Sequence, residues 1–147
     1  MKNFARLSVM LFLSLLLSVA LVACGGGGDE EAEVTTTDSG FKEAEAAGMT
    51  FQWKIDGDTI EISVHSPEKG WVAVGFDPET IMRGANMVMG YVEDGEASIA
   101  DHYGNQLTNH APDTELGGND DVTLIEGSED ENGTTLHFSM PLDTGEE

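Results

Sequence analysis

The chain has 147 residues, a single cysteine, 28 acidic residues and only 6 Lys or Arg, which sets a formal charge of −22 at neutral pH. A charge of that sign repels nucleic acid and anionic lipid surfaces, and one cysteine cannot form an internal disulfide or a cysteine-based zinc site. The length allows one domain of ordinary size beside the N-terminal segments, and no second one.

The first segment has Lys2 and Arg6, an apolar stretch from Leu7 to Val22, and small residues just before Cys24. A cationic start, an apolar run and a small-residue cut site mark a secretory signal. The run is shorter than the roughly 20 apolar residues of a membrane-spanning helix. Leu21-Val22-Ala23-Cys24 resembles the bacterial lipobox. That resemblance implies that residues 1–23 are removed and that Cys24 carries lipid, tying the mature chain to a membrane on its extracytoplasmic side. Loss of Lys2 and Arg6 with the signal takes the formal charge from −22 to −24. The acids are scattered through turns, the pattern of a solvating surface more than of an acidic docking face.

Residues 24–48 are rich in Gly, Glu, Thr and Ala, with little to bury, and read as a flexible tether. Phe41 and the Ala-rich piece after it are expected to form a short helix or an edge segment. From Met49 to Glu147 the pattern is that of strands. Phe51, Trp53 and Ile55 alternate with polar residues, Asp56-Gly57-Asp58 makes a turn, and Ile60, Ile62 and Val64 alternate again, predicting a hairpin with one buried face. Trp71–Phe76 and Asn86–Val92 follow as apolar strands, with Trp71 expected in the core and a loop holding Pro78 and Met82 between them. Ser98–Asp101, Asp121–Ile125 and Thr134–Met140 complete the series, the last two joined by a polar loop over Gly127–Gly133. Short strands without amphipathic helical runs between them predict an all-β antiparallel sandwich.

Several ordered stretches carry a family resemblance: Gly70-Trp71-Val72-Ala73-Val74-Gly75-Phe76, Met82-Arg83-Gly84-Ala85-Asn86-Met87-Val88-Met89-Gly90-Tyr91-Val92, Ile99-Ala100-Asp101-His102-Tyr103, Pro112-Asp113, Asp120-Asp121-Val122, and Phe138-Ser139-Met140-Pro141-Leu142-Asp143-Thr144-Gly145. From Met49 onward the chain resembles the DOMON domain of dopamine β-hydroxylase and of the cellobiose dehydrogenase cytochrome. The resemblance implies an immunoglobulin-like sandwich, secreted or surface-exposed, that binds haem b or sugar-like ligands or supports a neighbouring redox domain. Two departures stand out. Met140 occupies a position where the family commonly has Arg, and the sequence stops at Glu147 where the family continues through further strands, so either the sequence is truncated there or the sandwich lacks its closing strands. Met82 matches the family's axial Met for haem; the matching His is not present.

Thioether sulfur opposite imidazole gives an electron-transfer haem, and the alternative role of Met82 is an apolar plug at the edge of the sandwich. Met87 and Met89 alternate with Val88 and are expected to share one side of a strand and to pack in the core. His65 is expected at the surface and His137 on a polar strand face. His102 and His110 flank a polar loop near Asp101 and Asp113; imidazoles are common metal ligands, yet this separation fits no standard two-His motif and a polar loop is the expectation. Asp113, Asn119, Asp120 and Asp121 lack calcium-loop spacing and read as a solvated turn. No nucleophile elbow, His-Glu-x-x-His or phosphate loop occurs, so no catalytic residue or metal site is assigned. The expected function is a membrane-anchored binding domain for haem b in electron transfer, with a redox partner protein. Carbohydrate binding, or an interaction module without cofactor, is the alternative.

Overall fold

The computed structural model describes residues 32–145. The signal segment and Cys24 lie outside the described residues. Ten strands run in the order β1 (Thr35–Thr36), β2 (Lys42–Ala46), β3 (Met49–Asp56), β4 (Thr59–Ser66), β5 (Val72–Phe76), β6 (Asn86–Glu93), β7 (Glu96–Gln106), β8 (Asn109–Pro112), β9 (Thr123–Asp130) and β10 (Gly133–Pro141), with one turn of helix, α1 (Asp113–Leu116), after β8. They form two antiparallel sheets, β1-β2-β3-β4-β10-β9 and β5-β6-β7-β8. β9 and β10 pack over β6 and β7, as an all-β sandwich requires.

Alternation builds the core. Ile62 and Val64 on β4, Leu136, Phe138 and Met140 on β10, Val72 on β5 and Val88 on β6 all point between the sheets and are buried. Phe51 and Trp53 extend this face from β3, with ring centroids 5.5 Å apart, and Phe51 reaches Phe76 of the other sheet at 6.4 Å. Gly90 on β6 lets the layers close, because a Cβ there would collide with Ser98 and Leu136. At the crossover between sheets, the carboxylate of Glu129 accepts hydrogen bonds from the Gly70 N–H (2.8 Å) and from the hydroxyl of fully buried Thr134 (2.9 Å).

The structure departs from the sequence pattern at four places. The sheet begins before Met49: β2 pairs with β3 through a two-residue turn at Ala47-Gly48, so the stretch expected as tether contributes strands from Thr35 onward. The short polar segment adds edge hydrogen bonds and needs little burial of its own. β7 and β9 run longer than their apolar centres, so Gly127–Asp130 belongs to β9 and the turn is confined to Glu131-Asn132. Trp71, expected in the core, is 69% exposed. Val72 faces inward, so its neighbour must face out. Asp113, expected in a solvated turn, is buried at the start of α1.

Candidate functional site

Met82 sits on a built turn. Arg83 N–H donates to Thr80 O (3.0 Å) and Glu79 N–H to Arg83 O (2.9 Å), which makes Ile81 and Met82 the central residues of a tight hairpin in the β5–β6 connection. Ile81 adopts φ 57°, a left-handed conformation that favours glycine and penalises a β-branched side chain, and its side chain is exposed. Strain of this kind persists only where surrounding contacts over-determine the backbone. Here they do: Met82 N–H donates to Leu107 O (3.3 Å), Gly84 N–H to Gly104 O (2.8 Å) and Gly104 N–H to Ala85 O (2.9 Å). Gly104 on β7 has to be glycine, since a Cβ would overlap the Met82 carbonyl. The turn is thus strapped onto the β7–β8 hairpin, with the Met82 side chain half-buried.

That same hairpin brings His102 and His110 together. They flank the turn between β7 and β8, as expected, but stand on the strands themselves, their Nδ1 atoms sharing a hydrogen bond of 3.0 Å in which one ring donates and the other accepts, with the rings edge to face at 4.9 Å. Partial burial, and then the neighbouring His110, hold the His102 pKa below its ordinary value, against the opposing field of Glu115. His102 lies directly across from Met87 on β6. Met87 is buried and Met89 half-buried, and they share one side as expected, but it is the face opposite Val88: strand parity gives the core to Val88, and neither methionine joins the central core cluster expected to hold them. Met87 lies outside the central core cluster, beneath the outer face of the smaller sheet. His137 bonds Glu61 on its polar strand face (2.8 Å), and His65 is half-buried against Thr135 (2.9 Å) instead of fully exposed.

Two open clefts adjoin at Tyr103. One, of about 490 Å³, is lined by Tyr103, Asn105, Asp113, Leu116, Gly117, Gly118, Asn119 and Gly145; the other, of about 340 Å³, by Phe76, Asp77, Glu79, Gly84, Asn86, Tyr103 and the Met140–Leu142 segment with Thr144. Asp101 is buried nearby and accepts the Asp121 N–H at 2.9 Å. Among the described residues no three His, Cys, Asp or Glu side chains converge to hold a metal ion. Sequence reasoning missed the pair Trp71–Tyr91, whose rings meet at 5.2 Å and 31° on the outer surface. The signal was available in the inward parity of Val72.

This arrangement defines a two-sheet antiparallel sandwich that carries its polar and soft side chains on end loops and the outer face of its smaller sheet. The DOMON domain profile matches residues 45–147, and the chain belongs to the DOMON domain family. It is 29% identical over 92 residues to MOXD1 homolog 2 of Drosophila melanogaster, an alignment that covers 63% of this chain and 12% of that protein. Among solved structures it is similar to the cytochrome domain of Myriococcum thermophilum cellobiose dehydrogenase, with TM-score 0.55, 12% identity, and coverage of 75% of this chain and 61% of that one.

Proposed function

We propose that this DOMON domain binds haem b for extracytoplasmic electron transfer, with Met82 as one axial ligand, and that lipid on Cys24 anchors it to a membrane. The observation that carries the haem reading is the strained, strapped turn that fixes the Met82 backbone; the likeness to a cytochrome domain supports it, while Met82 itself lines neither cleft. The donor set fits one half of a Met/His pair. No described histidine lines either cleft, so the second ligand is not assigned, and the Asp77 and Glu79 carboxylates on the cleft wall disfavour propionates on that side. When bound, a Met-ligated haem supplies a one-electron couple at raised potential. The chain's own contribution is a fixed backbone position for Met82.

The test is a haem titration of the full-length gene product. A sharp low-spin reduced spectrum that is lost in Met82→Ala, with a lowered reduction potential, supports the reading; a product that stays colourless with haem supplied overturns it. The anchor has its own test, because Cys24→Ser should abolish lipid labelling and release the protein from membranes. One observation favours carbohydrate as the second reading: the exposed Trp71–Tyr91 pair offers flat aromatic area of the kind that stacks on apolar ring faces. Quenching or a shift of Trp fluorescence by a sugar panel, lost in Tyr91→Ala, would favour it.

A further inference from the structure

We propose that His102 and His110 form a two-imidazole site for a divalent late transition-metal ion, Cu2+ first, on the outer face of the β7–β8 hairpin. The backbone explains how the rings meet. His102 pairs with Pro112 and Tyr103 with Ala111, after which a bulge places two β7 residues, Gly104 and Asn105, against His110 alone. Gly104 carries no side chain, and the Met82 carbonyl covers the place a Cβ would take, so the bulge leaves His110 without a cross-strand side chain opposite it. Its ring can therefore lean along the face to its diagonal neighbour, His102.

The geometry suits chelation. With the Nδ1 atoms 3.0 Å apart and metal–nitrogen bonds of about 2.0–2.1 Å, an ion between them subtends about 95°. That angle fits adjacent positions of a tetragonal ion better than a tetrahedral one, which points to Cu2+ or Ni2+ before Zn2+; among these, Cu2+ binds nitrogen ligands most tightly. A bound ion would replace the proton that the two Nδ1 atoms now share, each ring then carrying its N–H on Nε2. Glu115, whose field acts on His102, supplies compensating negative charge, and the strongly acidic chain concentrates divalent cations around itself. No third His, Cys, Asp or Glu joins the pair among the described residues, so water completes the coordination and affinity is modest.

This inference does not depend on the haem reading. Its test is a Cu2+ titration of the chelator-treated full chain without haem, followed by electron paramagnetic resonance, with Ni2+ and Zn2+ as competitors. One saturable equivalent with an axial spectrum and hyperfine coupling to two nitrogens is expected. His102→Ala and His110→Ala should each weaken binding at least tenfold and leave one coupled nitrogen, while His65→Ala and His137→Ala change neither. In the unaltered protein, substoichiometric Cu2+ should broaden the ring resonances of His102 and His110 before those of the other histidines, a readout that does not depend on a variant folding. Undiminished binding in the double variant, a spectrum of oxygen ligands only, broadening spread over all four histidines, or Zn2+ displacing Cu2+ at equal concentration would overturn the assignment.

Discussion

Gly104→Ala isolates the strap that holds the Met82 turn. The added methyl would overlap the carbonyl of Met82, which is backbone and cannot rotate aside, so either the turn lifts or β7 bends away. Either movement breaks the three hydrogen bonds that join the two segments, Met82 N–H to Leu107, Gly84 N–H to Gly104 and Gly104 N–H to Ala85. At about 0.5–1.5 kcal/mol net for each bond, the loss is about 1.5–4.5 kcal/mol. For a domain of this size, the middle of that range lowers Tm by roughly 10–15 °C. Thermal unfolding by circular dichroism reads the loss, and amide hydrogen exchange at Met82, Gly84 and Gly104 locates it. Gln106→Ala, two residues further on and exposed, is the control and should fall within about 0.5 kcal/mol of the parent. A Gly104→Ala variant that melts within a degree or two of the parent with these amides still protected would show that the turn is not strapped as described.

Three further outcomes are expected. Phe138→Ala removes a fully buried ring from the centre of the core and should cost about 3–5 kcal/mol, whereas Trp71→Ala should cost about 1 kcal/mol, its stacking on Tyr91; equal losses in urea titrations would contradict the assigned strand parity. Ile81→Gly should be neutral or stabilising by about 1 kcal/mol, because relief of the left-handed conformation, about 1–2 kcal/mol, exceeds the entropy glycine adds to the unfolded chain; a clear destabilisation in the same assay would mean that the turn is unstrained. Because the His102 pKa is depressed in the folded protein, the unfolded state binds more protons just below the ordinary value near about 6.5, so the contribution of neutral His102 is complete above that pH and fades as pH falls through it. The Tm of the parent relative to His102→Gln should therefore drop between about pH 7.5 and pH 5.5; a constant difference would exclude the shift.

The hairpin at Asp56–Thr59, the alternation of Ile60, Ile62 and Val64, and the apolar strand ending at Phe76 were legible because burial of one strand face imposes a period of two on the sequence. Trp71 misled for the same reason that Val72 informed. In a run of apolar residues, hydrophobicity alone does not say which parity faces the core, and an exposed aromatic at the strand's start looks like one more core residue. The early strand Lys42–Ala46 takes the edge-segment form of the two expected after Phe41; its Ala residues alternate with Glu but are too small to mark a buried face, which left a short helix open as well. Met82 was found through its place in the family pattern, but the turn around it was not, because Ile is the residue least expected at a left-handed position. The meeting of His102 with His110 depends on a bulge, and a bulge has no composition.

β10 lies late in the chain, yet it occupies an inner position of its sheet, between β9 and a β4 that ends some 70 residues earlier. Until it is inserted, β4 presents an unpaired edge with Ile60, Ile62 and Val64 along it, the kind of strand that recruits other chains. The bonds that latch this junction on its outer side, Glu61 with His137 and His65 with Thr135, also wait for that arrival. Pairing over so long a separation is slow, on the order of milliseconds to seconds for β-sandwiches. The time during which this protein is most prone to aggregate is therefore set by one docking event, and substitutions that delay β10 should lower yield even where the finished fold tolerates them.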